Sequence, residues 1–300
     1  MDCPLLKPNL FDCVQSREME GIRMRLAAIA AVAALVTVPV LAGPFDEDDC
    51  KYTAKRRVNT PASGITKVVI HGESGFLDVT GTPGATQILA DGTACTSESD
   101  FLPRMTLSLR KVGSELHVDA NIPEKTLVFG FFSARLDFAV TLPAGLPVEI
   151  DDGSGWIKVS NTGATNIDDG SGSIEVRNVR GPLVIHDGSG SIEIDTVTGN
   201  VEIEDESGEL SVRNITGSVE IEDGSGAITV ARIEGSVRIR DDGSGAITVA
   251  NVRRDVTIDE DGSGGIEVAD VGGNFTVGRD GSGGIDYERV AGRVSIPSRH

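Results

Sequence analysis

GSVEIEDGSGAITV, residues 217–230, is one copy of a phrase that occurs eight times in the second half of the chain. The aspartate that precedes the turn glycine recurs at a spacing of 17 to 19 residues. These aspartates are Asp152, Asp169, Asp187, Asp205, Asp223, Asp242, Asp261 and Asp280. A fixed period near twenty residues is typical of a solenoid, in which each repeat forms one coil.

The interior of each copy predicts two short strands. Ile228 and Val230 alternate with polar residues, and Val237 and Ile239 do the same after a corner that contains Gly235. A period of two marks a strand with one buried face, whereas frequent glycine would cost a helix about 1 kcal/mol each. Stacking coils about 4.8 Å apart would close a continuous apolar core. The predicted fold is an all-β, single-chain β-solenoid of about eight 17–19-residue coils.

The region before the array lacks the regular repeat. Residues 72–79, GESGFLDV, resemble a degenerate copy of the corner and strand. Longer stretches that alternate apolar and polar residues follow at 105–109, 116–118 and 136–142. Bounded by Gly and Pro, they predict an antiparallel sheet that caps the open end of the solenoid. We therefore expect an N-terminal β cap over 43–147, with a first degenerate coil, and the repeat array over 148–300.

The start of the chain predicts export. Residues 26–41 are sixteen uncharged residues behind two arginines, too short for a typical membrane span, and small residues precede Ala42. We expect 1–42 to be a signal peptide region cleaved after Ala42, with Met24 as the natural start; the alternative is a membrane anchor. We expect the mature chain to have no transmembrane segment. Export places the protein in the periplasm, or on the outer surface or outside the cell.

Charge and cysteine content limit the partners. The net charge of −19 argues against binding nucleic acid or anionic lipid, since both need a basic surface. The mature chain keeps two cysteines, Cys50 and Cys95. In an oxidising compartment two cysteines usually pair, and we expect a disulfide; a metal pair or a redox pair are the alternatives.

The repeated DGSG corner allows two interpretations. In the structural one, glycine supplies a positive φ while Asp and Ser bond to backbone N–H groups of the turn. In the functional one, the eight stacked aspartates repel one another at about 5 Å, and bound calcium relieves that repulsion. Calcium is therefore the only candidate cofactor.

No catalytic residue is predicted. The serine of the corner is repeated in equivalent coils, unlike a single catalytic nucleophile, and no nucleotide-binding or HExxH motif occurs. The protein is therefore predicted not to be an enzyme. The alternative is a β-helix enzyme that acts on polysaccharide, for which the one basic cluster of the array, Arg253–Arg254, lies near Asp255 and Asp241 in sequence.

The segment LDFAVTLPAGLPVEIDDGSG, residues 136–155, followed by GSGxIxV coils, resembles the bacterial putative-adhesin family, a domain of unknown function. The resemblance covers about residues 65–296. Its most specific phrases are TLPAG, GSGSIEV and TGSVEIEDGSG. It implies a single-chain β-solenoid, right-handed, and no assigned catalytic residues.

These features predict a non-enzymatic, exported cell-envelope protein that serves as an adhesin or a scaffold. The alternative is a calcium-stabilised assembly module. Protein or glycan surfaces are the expected partners, and self-association through the solenoid ends is possible. The outward strand positions expected to make these contacts are Lys158, Glu175, Glu193, Ser211, Thr229, Thr248, Glu267 and Asp286.

Overall fold

The computed structural model of the protein describes residues 50–124 and 132–298. The predicted signal peptide region, 1–42, lies outside the described residues. The described chain forms 24 strands in two 12-stranded sheets and a single 3-10 turn, Leu102–Arg104. The all-β solenoid fold predicted from the repeat is therefore confirmed, whereas its hand stays a prediction.

Seven strands precede the repeat array. They are β1 (Tyr52–Pro61), β2 (Lys67–His71), β3 (Gly75–Thr82), β4 (Gln87–Thr96), β5 (Thr106–Val112), β6 (Glu115–Asn121) and β7 (Ala134–Pro143). The disulfide between Cys50 and Cys95 ties the chain ahead of β1 to β4, with the two Cα atoms 5.5 Å apart.

Each coil of the array contributes one strand to each sheet. Strands that lead into the DGSG corner form sheet 1, and strands that leave it form sheet 2. Sheet 1 contains β8 (Val148–Asp152), β10 (Thr165–Asp169), β12 (Leu183–Asp187), β14 (Val201–Asp205), β16 (Val219–Asp223), β18 (Val237–Asp242), β20 (Val256–Asp261), β22 (Phe275–Asp280) and β24 (Val294–Ser295). Sheet 2 contains β9 (Gly155–Ser160), β11 (Gly172–Val179), β13 (Ile192–Val197), β15 (Leu210–Ile215), β17 (Ile228–Ile233), β19 (Ile247–Val252), β21 (Ile266–Val271) and β23 (Ile285–Val290).

The core is built from identical positions of successive coils. Neighbouring strands of the array are parallel, so that Ile203 stacks on Ile221 in sheet 1 and Ile194 stacks on Val212 in sheet 2. These side chains are at most 1% exposed. Burial of the apolar stripe of every coil by its neighbours supplies the driving force for stacking.

The N-terminal strands continue the two sheets in an unexpected order. Strands β2 and β3 form a coil that stacks directly on β8 and β9. Strands β6 and β7, which come later in sequence, form another coil on the far side of β2 and β3 and run parallel to them. Antiparallel pairing, expected throughout this region, is limited among the described strands to β5 with β6, β7 with β4, and β4 with β1. Both sheets run across the boundary expected near residue 148, so that division stays a prediction.

The second corner depends on one residue in the left-handed conformation. In β13, Ile192, Ile194 and Val197 all face the core, although strict alternation would turn Val197 outward. Thr196 adopts the left-handed conformation, with φ of 67°, and this change of the backbone turns the side chain of Val197 back toward the core. The equivalent left-handed residues are Asn161, Asn178, Asn214, Arg232, Asn251, Asp270 and Arg289.

Thr196→Asn is expected to raise the free energy of unfolding by about 1 kcal/mol. A β-branched residue is strained at positive φ, whereas asparagine tolerates this region. The hydroxyl of Thr196 donates a hydrogen bond to Asp195 Oδ1, but that bond is exposed and contributes little. Urea denaturation measures the change. The matched control is Thr229→Asn in the middle of β17, which should not be stabilised, and an equal gain in both variants would contradict the explanation.

Candidate functional site

A column of buried carboxylates runs along the inside of the DGSG corners. Each sheet-1 strand from β8 to β22 ends in an aspartate that pairs in register with its equivalent in the next coil. We name this set the aspartate ladder; its members are Asp152, Asp169, Asp187, Asp205, Asp223, Asp242, Asp261 and Asp280. All except Asp280 are at most 6% exposed. The ladder ends at the degenerate coil, where Gly72 occupies the ladder position and a Cβ would lie 1.9 Å from Asp152 Oδ1.

Only some of the carboxylate oxygens of the ladder accept a hydrogen bond. The backbone N–H of Ser207 donates to Asp205 Oδ1 at 3.2 Å, as the structural interpretation of the corner predicts, and the N–H of Ser225 bonds Asp223 in the same way. Among the described residues, the Oδ2 atoms of both aspartates are buried without a hydrogen-bond partner. Within the same part of the chain, no well-aligned hydrogen bond reaches either carboxylate oxygen of Asp169, Asp242 or Asp261. A buried polar group without a partner is costly, so the ladder has unused capacity for a proton or a cation.

This environment disfavours the charged form of the aspartates. Burial, reinforced by repulsion from neighbouring carboxylates, raises the pKa of Asp152, Asp205 and Asp242 to about 7. The same causes raise the pKa of Asp169 and Asp261 to about 6. Near neutral pH the ladder therefore holds protons that aspartates in water would release.

An acidic groove of about 590 Å³ lies beside the ladder across several coils. Its charged lining outside the ladder is Asp168, His186, Glu204, Glu206, Glu222 and Asp241. Ladder members Asp169, Asp187, Asp205 and Asp223 line the same cavity. The guanidinium of Arg240 reaches Glu204 at 2.9 Å and Glu222 at 3.1 Å, so it neutralises part of this charge. The groove is suited to cationic groups.

The outer face of sheet 2 carries a second polar column. The eight outward positions expected from sequence lie in register along it, from Lys158 in β9 to Asp286 in β23. Ion pairs cover its first part, where Glu175 accepts from Lys158 at 3.4 Å. Thr229 and Thr248 continue the column without charge. The charge of this face changes gradually along the solenoid rather than at a single site.

The basic cluster considered for an enzyme is not assembled. Arg253 and Arg254 lie at the corner between β19 and β20, and Arg253 pairs with Glu234 at 2.9 Å. Asp241 lies beside the DGSG corner, at the end of β18 that is opposite the corner of the arginines. About five residues of strand, or roughly 16 Å, therefore separate Asp241 from them. Asp255 accepts hydrogen bonds from Asn274.

A histidine cluster escaped the sequence analysis. His71 of β2 lies in register with Asp119 of β6, and His117 lies two residues before Asp119 on the same face. His71 and His117 are 46 residues apart, so no short spacing motif marks them. The two-residue spacing of His117 and Asp119 indicates that both side chains lie on one face of a strand. The pairing of β2 with β6, which brings His71 to them, is visible only in the fold.

The two sheets of in-register coils and the repeated acidic corner define a parallel β-solenoid whose polar columns extend over many coils. Residues 96–277 match the family described as Toastrack DUF4097, and the chain belongs to this family. The resemblance to a putative-adhesin family of unknown function is thereby confirmed.

Solved structures are similar to this chain at low identity. A putative adhesin from Bacteroides fragilis is 13% identical, with 83% of this chain and 99% of that chain covered and a TM-score of 0.39. A putative cell adhesion protein from Clostridium sporogenes is 12% identical, with 82% and 99% covered and a TM-score of 0.33. A putative lipid binding protein from Parabacteroides distasonis is 15% identical, with 81% and 97% covered and a TM-score of 0.35. No curated protein matches the sequence. Within the described residues no helix is long and apolar enough to cross a membrane.

Proposed function

We propose that this chain is an exported cell-envelope protein that acts as a non-enzymatic adhesin or scaffold. The observation that carries the proposal is the equivalence of the coils, because the acidic and polar columns repeat in register along the array. Such columns favour weak, repeated contacts with a protein or glycan surface over chemistry at one point. The family and the names of the similar structures support the same class.

Protease treatment of intact cells tests export. The protein, followed with an antibody and compared with a periplasmic marker, should be digested on intact cells if it acts at the surface. Protection until the outer membrane is opened would instead support a periplasmic scaffold. Persistent protection after that step, together with fractionation into the cytoplasm, would contradict the proposal.

Calcium-stabilised assembly is a second candidate, favoured by the unpartnered carboxylate oxygens of ladder aspartates that line the acidic groove. Calcium prefers carboxylate and other oxygen ligands, and its charge would offset the repulsion within the ladder. Self-association through the solenoid ends would then accompany binding.

Calcium is expected to raise the melting temperature by several degrees over the value in chelator, because binding to the folded state alone stabilises it. The triple variant Asp187→Asn, Asp205→Asn, Asp223→Asn should lose most of this gain. Glu202→Gln is the matched control, since it removes an exposed charge from β14 outside the groove. An unchanged melt of the wild type with and without chelator would remove this candidate.

A further inference from the structure

Three potential metal ligands converge on the outer face of sheet 1, two strands away from Asp168, which lines the acidic groove. One ligand atom from each of His71, His117 and Asp119 lies within 4.8 Å of the other two. The Nδ1 atom of His71 is 2.8 Å from Asp119 Oδ1. The two imidazole rings are stacked, with centroids 5.7 Å apart and an interplanar angle of 23°.

Backbone pairing holds these side chains together. Strands β2 and β6 are parallel neighbours, with Val69 opposite His117 and His71 opposite Asp119. Because the strands belong to a packed sheet, the relative positions of the three Cα atoms are fixed before any ligand binds. The metal would need only side-chain rotation to complete its coordination.

The chemistry of the set indicates a borderline transition-metal ion. Two imidazoles and one carboxylate suit zinc, with bonds of about 2.0–2.2 Å. A tetrahedral centre with such bonds holds its ligand atoms about 3.3 Å apart. That separation is longer than the 2.8 Å between His71 Nδ1 and Asp119 Oδ1 and lies below the 4.8 Å within which all three ligand atoms fall. The Nδ1 atom of His117 is buried without a hydrogen-bond partner among the described residues, so this side chain has an unsatisfied nitrogen.

Neighbouring charges favour a cation at this position. Asp151 of β8 lies in register with His71 on its other side, and Glu115 Oε2 lies 3.9 Å from His117 Nε2. Arg110 of β5 approaches Asp119 Oδ2 at 3.7 Å and is a competing cation. The Arg110 side chain is more than half exposed, so it can turn into solvent when a metal binds.

We propose that His71, His117 and Asp119 bind one zinc ion, with water in the remaining coordination positions. The bound ion would link β2 to β6, two strands whose coils stack in an order different from their order in sequence. It would thereby stabilise the coil that joins the repeat array to the N-terminal edge strands. This role is independent of adhesion and of calcium.

Zinc and cobalt provide the probes. One equivalent of Co²⁺ should give ligand-field absorption bands of a nitrogen- and oxygen-ligated ion, and Zn²⁺ should abolish them by displacement. One equivalent of Zn²⁺ should also raise the melting temperature by several degrees. His71→Gln and His117→Gln should each lose both signals, whereas the matched control His186→Gln should keep them.

Folding of the variants is checked separately. His71 is about 40% exposed on its side chain, so His71→Gln should melt like the wild type in chelator. The ladder variant Asp187→Asn, Asp205→Asn, Asp223→Asn should retain the cobalt bands. Absence of the bands and of the zinc-dependent shift in the wild type, or their persistence in both His71→Gln and His117→Gln, would overturn the proposal.

Discussion

Gly226→Ala should unfold or severely destabilise the array, by more than about 4 kcal/mol. Gly226 adopts φ of 147° at the DGSG corner, and an added Cβ would lie 1.4 Å from the carbonyl oxygen of Gly208 in the preceding coil. The obstructing atom belongs to the backbone, so it cannot rotate away. Relief would require the two coils to separate, which would break the stacking of their cores.

Gly265→Ala is the matched control for this prediction. Gly265 follows the corner of a later coil, lacks a left-handed φ, and has no atom within 4 Å of an added Cβ. Urea denaturation and limited proteolysis should show a near-normal protein for Gly265→Ala and a strongly destabilised one for Gly226→Ala. Equal midpoints for the two variants would contradict the close stacking of the corners.

Stability in chelator should fall as the pH rises from 5 to 8. The folded-state pKa of Asp205 is about 7, against an ordinary value of 3.8, because burial and the neighbouring aspartates disfavour its charge. A raised pKa means that the folded state binds more protons than the unfolded state between these values. The resulting stabilisation is complete below about pH 4 and is lost as the pH rises through about 7.

The expected change in the free energy of unfolding is large for a single group. A pKa change of this extent corresponds to up to about 4 kcal/mol for one isolated carboxyl, although coupled neighbours do not add independently. We therefore expect the melting temperature to be higher by several degrees at pH 5 than at pH 8.

Asp205→Asn distinguishes the contribution of the ladder to the pH dependence of stability from that of general charge repulsion. It keeps the side-chain volume but cannot ionise, so it should flatten the pH dependence and raise stability at pH 8 by about 1–2 kcal/mol. Glu202→Gln removes one exposed charge from the same strand and should leave the pH dependence unchanged. An equal flattening in both variants would assign the effect to the net charge of −19 rather than to the ladder.

The array was predictable because each local signal agrees with the fold. Alternation at Ile228 and Val230 gives the buried face, and the fixed period gives the stacking. The corner aspartates were found for the same reason, and the expected bonds from the turn N–H groups form at Asp187, Asp205 and Asp223. Their burial was harder to predict, since Asp205 follows a Glu in sequence and its inward direction depends on the phase of the strand.

The remaining features depend on long-range pairing. The left-handed residues include Arg232 and Thr196, which have no sequence preference for positive φ, so only the tertiary packing places them there. The insertion of β2 and β3 between β6–β7 and β8–β9 reverses sequence order, which alternation alone cannot reveal. The histidine cluster depends on the pairing of β2 with β6 that this insertion creates, so the sequence did not reveal it.

Titration of the aspartate carboxyl groups by ¹³C NMR, in chelator, tests the central claim most directly. The aspartate ladder is a buried column in which desolvation and mutual repulsion disfavour ionisation of the carboxyl groups. Several aspartates, among them Asp205 as identified by its loss in Asp205→Asn, should titrate near pH 6–7. Titration of every aspartate near its ordinary value of about 4 would show that the ladder is solvated and would contradict the account.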